Sequence, residues 1–223
     1  MDPAPASFVP TSRMVDDALR FMRVPPDGRD KGLIQATREA FAKLESFVRP
    51  RSVWGRFPVS CLAGADLGDD LTRLLSGSRE CFLLAVTLGP EVDRQISLAQ
   101  RRGMGDGLAL DACASVRADA LCDEVQEEIE AGLGDGEGLT MRFSPGYGDA
   151  PLSLSQEIIL CLNATRRIGL SMTRSLMMTP VKSVTAVLGV TEAGPGQRSV
   201  KAGCDGKAGC SLCPAREGCM YRA

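Results

Sequence analysis

The sequence predicts an α+β fold in which a twisted antiparallel sheet is flanked by helices. Apolar residues recur at helical spacing in several separate segments, and distinct apolar runs such as CFLLAVTLG (81–89) have the length and bounding residues of strands. The strand-like segments also group late in the chain, next to one another, whereas a parallel βαβ design would alternate them with helices. No repeat with a period of about 20–50 residues interrupts this pattern.

The elements follow in order. A proline-rich start, residues 1–11, predicts a disordered N-terminus. Residues 12–23 place Val15, Leu19 and Met22 on one helical face, with Ser12 as the candidate cap. Residues 30–48 do the same with Leu33, Ala36, Ala40, Leu44 and Phe47. In 52–62, Val53, Phe57, Val59 and Cys61 alternate with more polar neighbours, which predicts a half-buried strand. The buried strand at 81–89 stops at Gly89-Pro90, and helices follow at 90–102 and 107–131, the second ending in the breaker-rich AGLGDGEG. A short strand (139–143), a Pro-Gly turn, a helix near 153–167 and two strands (170–177 and 182–190) joined across Thr179-Pro180 complete the pattern.

Composition bounds the function. The 223 residues suit one domain, or one domain with a small appendage, since single domains commonly run to about 100–200 residues. A hydrophobic fraction of 44% and a net charge of −2 describe an ordinary globular chain and give no reason to expect nucleic acid as a partner. No apolar run approaches the roughly 18–20 residues that span a bilayer, and MDPAPASFVP lacks the basic and apolar regions of a signal peptide; the expectation is a cytoplasmic protein without a membrane partner. There is no histidine, which excludes His-dependent triads and His-ligated zinc hydrolases on this chain.

Of the nine cysteines, Cys61, Cys81, Cys113, Cys122 and Cys161 stand singly in apolar or helical stretches and read as small core hydrophobes. Cys204, Cys210, Cys213 and Cys219 instead form C-x5-C-x2-C-x5-C near the C-terminus, behind a Gly- and Lys-rich linker. Four thiolates so crowded, with glycines that let the backbone wrap, fit tetrahedral zinc or an iron–sulfur cluster.

The stretch RFSPGYGDA (142–150) carries the most specific chemistry. Pro145 fixes its own φ and biases Ser144 to an extended conformation, and Gly146 permits angles that a side chain would forbid. Arg142 offers a planar fork of donors suited to a carboxylate or phosphate, and Tyr147 an aromatic face with a hydroxyl. The residues alone leave two readings open. One is a strand end followed by a type II turn, with Arg142 paired to a surface acid and Tyr147 capping the core; the other is a preorganised holder for a small amphoteric ligand.

RFSPGYGDAPLSLSQ, followed by RIGLSMTRSLMMTPVKSVTAVLGV (167–190), resembles the activation domain of vitamin B12-dependent methionine synthase in a stand-alone form. VTLGPEVDRQI (86–96) and LALDACASVRADALCDEV (108–125) extend the likeness over residues 12–191. The resemblance implies that fold for 12–191, with 192–223 as linker and Cys-rich tail. It implies S-adenosylmethionine as ligand, with Arg142 at the methionyl carboxylate and Ser144, Pro145, Gly146 and Tyr147 lining it. It also implies an acid for the cationic end of the ligand: Asp119 falls where the family places a helix carboxylate, with Asp123 one turn further along and Asp149 close to the turn. GVTEAGPGQRSVKAG has no aromatic where the family carries a ligand-contacting tyrosine. The implied role is reactivation in trans of a cobalamin-dependent methyltransferase, in which one-electron reduction of cob(II)alamin is coupled to methyl transfer from S-adenosylmethionine. The implied partners are a cobalamin-binding module and an electron donor such as flavodoxin or ferredoxin, and the need for an electron tips the cysteine tail toward iron–sulfur. Two alternatives are an activator of another corrinoid methyltransferase and a non-catalytic metal-binding scaffold.

Overall fold

The computed structural model describes residues 8–192; Cys204, Cys210, Cys213 and Cys219, with the linker before them, lie outside the described residues. The first helix, α1 (Ser12–Phe21), is capped by the residue before the expected one: the Thr11 hydroxyl accepts the Met14 N–H at 3.2 Å. Helix α2 (Lys31–Glu45) is capped by Asp30, which accepts the Leu33 N–H at 2.7 Å. Strand β1 (Arg51–Pro58) is followed by a 3-10 turn over Val59–Leu62, and helix α3 (Gly68–Leu75) leads into β2 (Glu80–Thr87). Helices α4 (Pro90–Arg102) and α5 (Met104–Ala131) pack against each other. After β3 (Glu137–Leu139) come α6 (Leu154–Cys161), α7 (Ala164–Ile168), the two-residue strands β4 (Ser171–Met172) and β5 (Met178–Thr179), and β6 (Ser183–Glu192).

The main sheet has the order β1-β2-β6-β3 and every pairing is antiparallel. β2 lies in its interior and is buried on both faces. Its period of two sends Phe82, Leu84 and Val86 into a core with α1, α2, α4 and α5, and Cys81, Leu83 and Ala85 into a second core with α3, α6 and α7. The continuous apolar run that identified this strand in the sequence is thus the signature of a strand covered on both sides. Each fully buried leucine here contributes about 1.5–3 kcal/mol of burial free energy.

Several expectations are corrected. Helix α3 was not expected, because its two core leucines, Leu71 and Leu75, make too short a pattern to announce it. The helix expected over 153–167 is two, parted at Asn163, which sits in the left-handed region at φ 51°. The strand expected over 170–177 is the β4–β5 hairpin, whose connecting loop is held by the Thr173 hydroxyl accepting the Met177 N–H at 3.1 Å.

The strand expected at 139–143 is also altered, and here the change matters to the site. β3 pairs with β6 through Leu139↔Val190, and pairing resumes at Phe143↔Val187. Four steps along one strand therefore match three on the other, which is a β-bulge with one extra residue. Its effect shows in the packing: Leu139 belongs to the α5-side core and Phe143 packs against the opposite one, although regular alternation would place both on one face. The bulge turns Arg142, the neighbour of Phe143, onto the α5 side.

Candidate functional site

The site is built on one face of α5. In a helix, residues four apart stack on one face about 6 Å apart along the axis, and Asp111, Ser115, Asp119 and Asp123 form such a row. The ends of the row are occupied. At the N-terminal end, the Lys182 ammonium donates to the Ser115 hydroxyl at 2.9 Å and pairs with Asp111 at 2.9 Å. Asp93 of α4 fastens the same loop, accepting the Val181 N–H at 2.7 Å and the Lys182 N–H at 3.3 Å, next to the cis Thr179-Pro180 bond.

At the C-terminal end sits Arg142, with only 7% of its side chain exposed. Its Nη1 donates to Asp123 Oδ1 at 2.7 Å and to Gln126 Oε1 at 3.1 Å. Gln126 is fully buried, and its Nε2 donates to Glu130 Oε1 at 2.8 Å. The other edge of the guanidinium is unused: Nε and Nη2 donate to no protein atom among the described residues, and neither is sealed from solvent. That edge is the planar two-donor fork that matches a carboxylate.

Between the two anchored ends lies Asp119. Among the described residues no hydrogen bond or ion pair engages its carboxylate. Its surface reaches solvent, yet protein crowds around it closely enough to desolvate the carboxylate in part. Partial desolvation pushes its pKa up to about 6; Arg142 opposes the rise, and the neighbouring charges of Asp123 and Asp17 add to it. Asp17, from α1, has its own pKa raised by burial against the pull of Arg20 and Arg13.

The Pro-Gly turn begins two residues after Arg142. The Tyr147 N–H donates to the Ser144 carbonyl at 3.3 Å, Pro145 is buried, and Gly146 has φ 90°, which together make a type II turn. The turn is pinned from outside. Asp149 caps the N-terminus of α3, accepting the N–H groups of Asp69 at 2.6 Å and Asp70 at 3.0 Å, and those two bonds hold its pKa below the usual range. Both oxygens of the Asp149 carboxylate are thus engaged by α3. Gly148, at φ 56°, lets the chain pass the Asp70 carboxylate where a Cβ would collide. Tyr147 projects outward, with 71% of its surface exposed, so it does not cap the core.

Of the residues expected at the site, the structure brings Arg142, Asp119 and Asp123 together on the α5 face, with the backbone of Ser144, Pro145, Gly146 and Tyr147 adjoining in sequence. Sequence reasoning missed Gln126, although its spacing of three from Asp123 was available as a signal. It also missed the Lys182 clamp, for which the apolar context of TPVKSV gave none.

No protein-family model matches the chain, and no curated protein sequence does. A solved structure does: the crystal structure of the MetH reactivation domain bound to AdoHcy has a TM-score of 0.50 and 18% sequence identity, covering 83% of this chain and 71% of that one. The two share a fold. The antiparallel sheet with helices on both faces is thus the reactivation-domain architecture, as the resemblance in the sequence implied. Among the described residues no helix is long and apolar enough to cross a membrane, and no cluster of three or more His, Cys, Asp or Glu side chains could hold a metal ion.

Proposed function

We propose that this chain binds S-adenosylmethionine on the α5 face and serves as a reactivation subunit for a cobalamin-dependent methionine synthase. One observation carries the reading: a guanidinium fixed on one edge by Asp123 and Gln126, with its Nε and Nη2 bonded to no described residue, acts electrostatically on the Asp119 carboxylate, which stands one helical turn from Asp123 and which no described residue engages by hydrogen bond or ion pair. That pair complements a zwitterionic amino acid end. Arg142 takes the methionyl carboxylate through Nε and Nη2, the ionised Asp119 faces the cationic groups of the ligand, and the Ser144–Tyr147 backbone lines it. The fold shared with a domain that was crystallised with AdoHcy supports the same assignment.

The chain's own work is then to bind and orient, since cobalt and sulfonium carry the reaction. A cobalamin-binding module of methionine synthase, or of a related corrinoid protein, docks as partner and receives the methyl group, with an electron supplied by a donor such as flavodoxin or ferredoxin. A metal held by Cys204, Cys210, Cys213 and Cys219 enters this proposal on the spacing of those residues alone, as an iron–sulfur relay or a structural zinc site.

The test is calorimetric titration of S-adenosylmethionine into protein purified without oxygen, with Arg142→Ala alongside. The expected result is binding by the wild type that the variant loses. A folded wild type that gives no heat, with and without a cobalamin module present, would remove the assignment.

A further inference from the structure

The arrangement behind Arg142 is more specific than holding a charge requires. Nη1 has two hydrogens, and Asp123 and Gln126 take one each, which fixes the plane of the guanidinium and directs its Nε/Nη2 edge outward. The two acceptors are unequal. Asp123 has 42% of its side chain exposed, while Gln126 is fully buried and tethered in turn by Glu130. The network also settles which way the Gln126 amide points: Arg142 can only donate and an ionised Glu130 can only accept, so the oxygen faces the guanidinium and the nitrogen faces Glu130.

We infer that Gln126 is a positioning residue for recognition of the ligand carboxylate, aiming the free edge of Arg142 without spending its charge. A second buried carboxylate in this place would fix the same plane while cancelling the positive charge that the ligand needs; a neutral amide fixes the plane and leaves that charge in force. An apolar side chain would leave the charge but release the plane. The inference rests on the S-adenosylmethionine reading above and adds to it a residue that touches no ligand.

The experiment titrates full-length wild type, Gln126→Leu and Gln126→Glu with S-adenosylmethionine and with its decarboxylated analogue, which lacks the group that Arg142 would hold. Circular dichroism establishes that each variant is folded, and Gln126→Glu, the same size as the native side chain though unable to donate to Glu130 when ionised, guards against a leucine variant that does not fold. The expected result is a loss of about tenfold in affinity for S-adenosylmethionine in both variants, the range of one hydrogen bond to a charged group, with the analogue unchanged. Equal weakening of both ligands would make Gln126 merely structural and overturn the inference, as would unchanged affinity for S-adenosylmethionine. Failure of the folded wild type to bind S-adenosylmethionine at all would instead remove the underlying reading, and this inference with it.

Discussion

Protonating Asp119 should weaken ligand binding across a pH range in which most carboxylates do not titrate. Crowding by protein raises its pKa to about 6 in the free chain, so at pH 7.5 it is almost wholly ionised, whereas at pH 5 only about one molecule in eleven carries the charge. The sign follows from linkage: a cationic ligand binds the ionised form, lowers the carboxylate's pKa in the complex, and loses affinity as pH falls through the free-chain value. If binding required the ionised form, apparent affinity for S-adenosylmethionine would drop about tenfold between pH 7.5 and 5. Asp119 is open to solvent, and screening reduces its coupling to the ligand, so the expected loss is about three- to tenfold. Calorimetric titrations at half-unit intervals measure it, with Asp119→Asn as the control. The variant should bind more weakly at pH 7.5 and show no inflection near pH 6. A wild-type profile flat from pH 7.5 to 5, or an inflection that persists in Asp119→Asn, would refute the role assigned to this carboxylate.

Two further outcomes test the frame that holds the site. Asp149→Asn should lower the melting temperature by loosening the turn from α3. Because Asp149 has a depressed pKa when folded, its contribution is present above the ordinary aspartate range and is lost as pH falls through the folded value, so wild type and variant should converge in melts at low pH. Leu84→Ala, in the strand buried on both faces, should cost about 2–5 kcal/mol in urea unfolding.

How much was legible in the sequence depends on how local each signal was. β2 was visible as a continuous apolar run stopped by Gly-Pro, α5 as a long stretch ended by a cluster of glycines, and RFSPGYGDA because proline and glycine impose their geometry within four residues. Helix α3 was hidden because its two core leucines make a short pattern and two of its first N–H groups are capped by Asp149, about 80 residues away, with only the Gly68 N–H capped locally by Asp66. The capping role of Asp149 was hidden for the same reason: closeness to the turn in sequence says nothing about which backbone amides a carboxylate meets. Asp123 was placed on the correct face of α5, but its pairing with Arg142 depends on a strand register that no local pattern states.

That register is set by the bulge between β3 and β6. Counted from Leu139 with regular alternation, Arg142 would face α3 and α6, away from Asp119, Asp123 and Gln126. The single extra residue between the Leu139 and Phe143 pairings reverses it. An arginine three residues before a Pro-Gly pair is thus only half of what the site requires. The other half is a defect in the sheet that swings the side chain onto a helix whose row of carboxylates and amides is spaced to receive it. The turn and the helix face would each be unremarkable alone, and the bulge makes them one site.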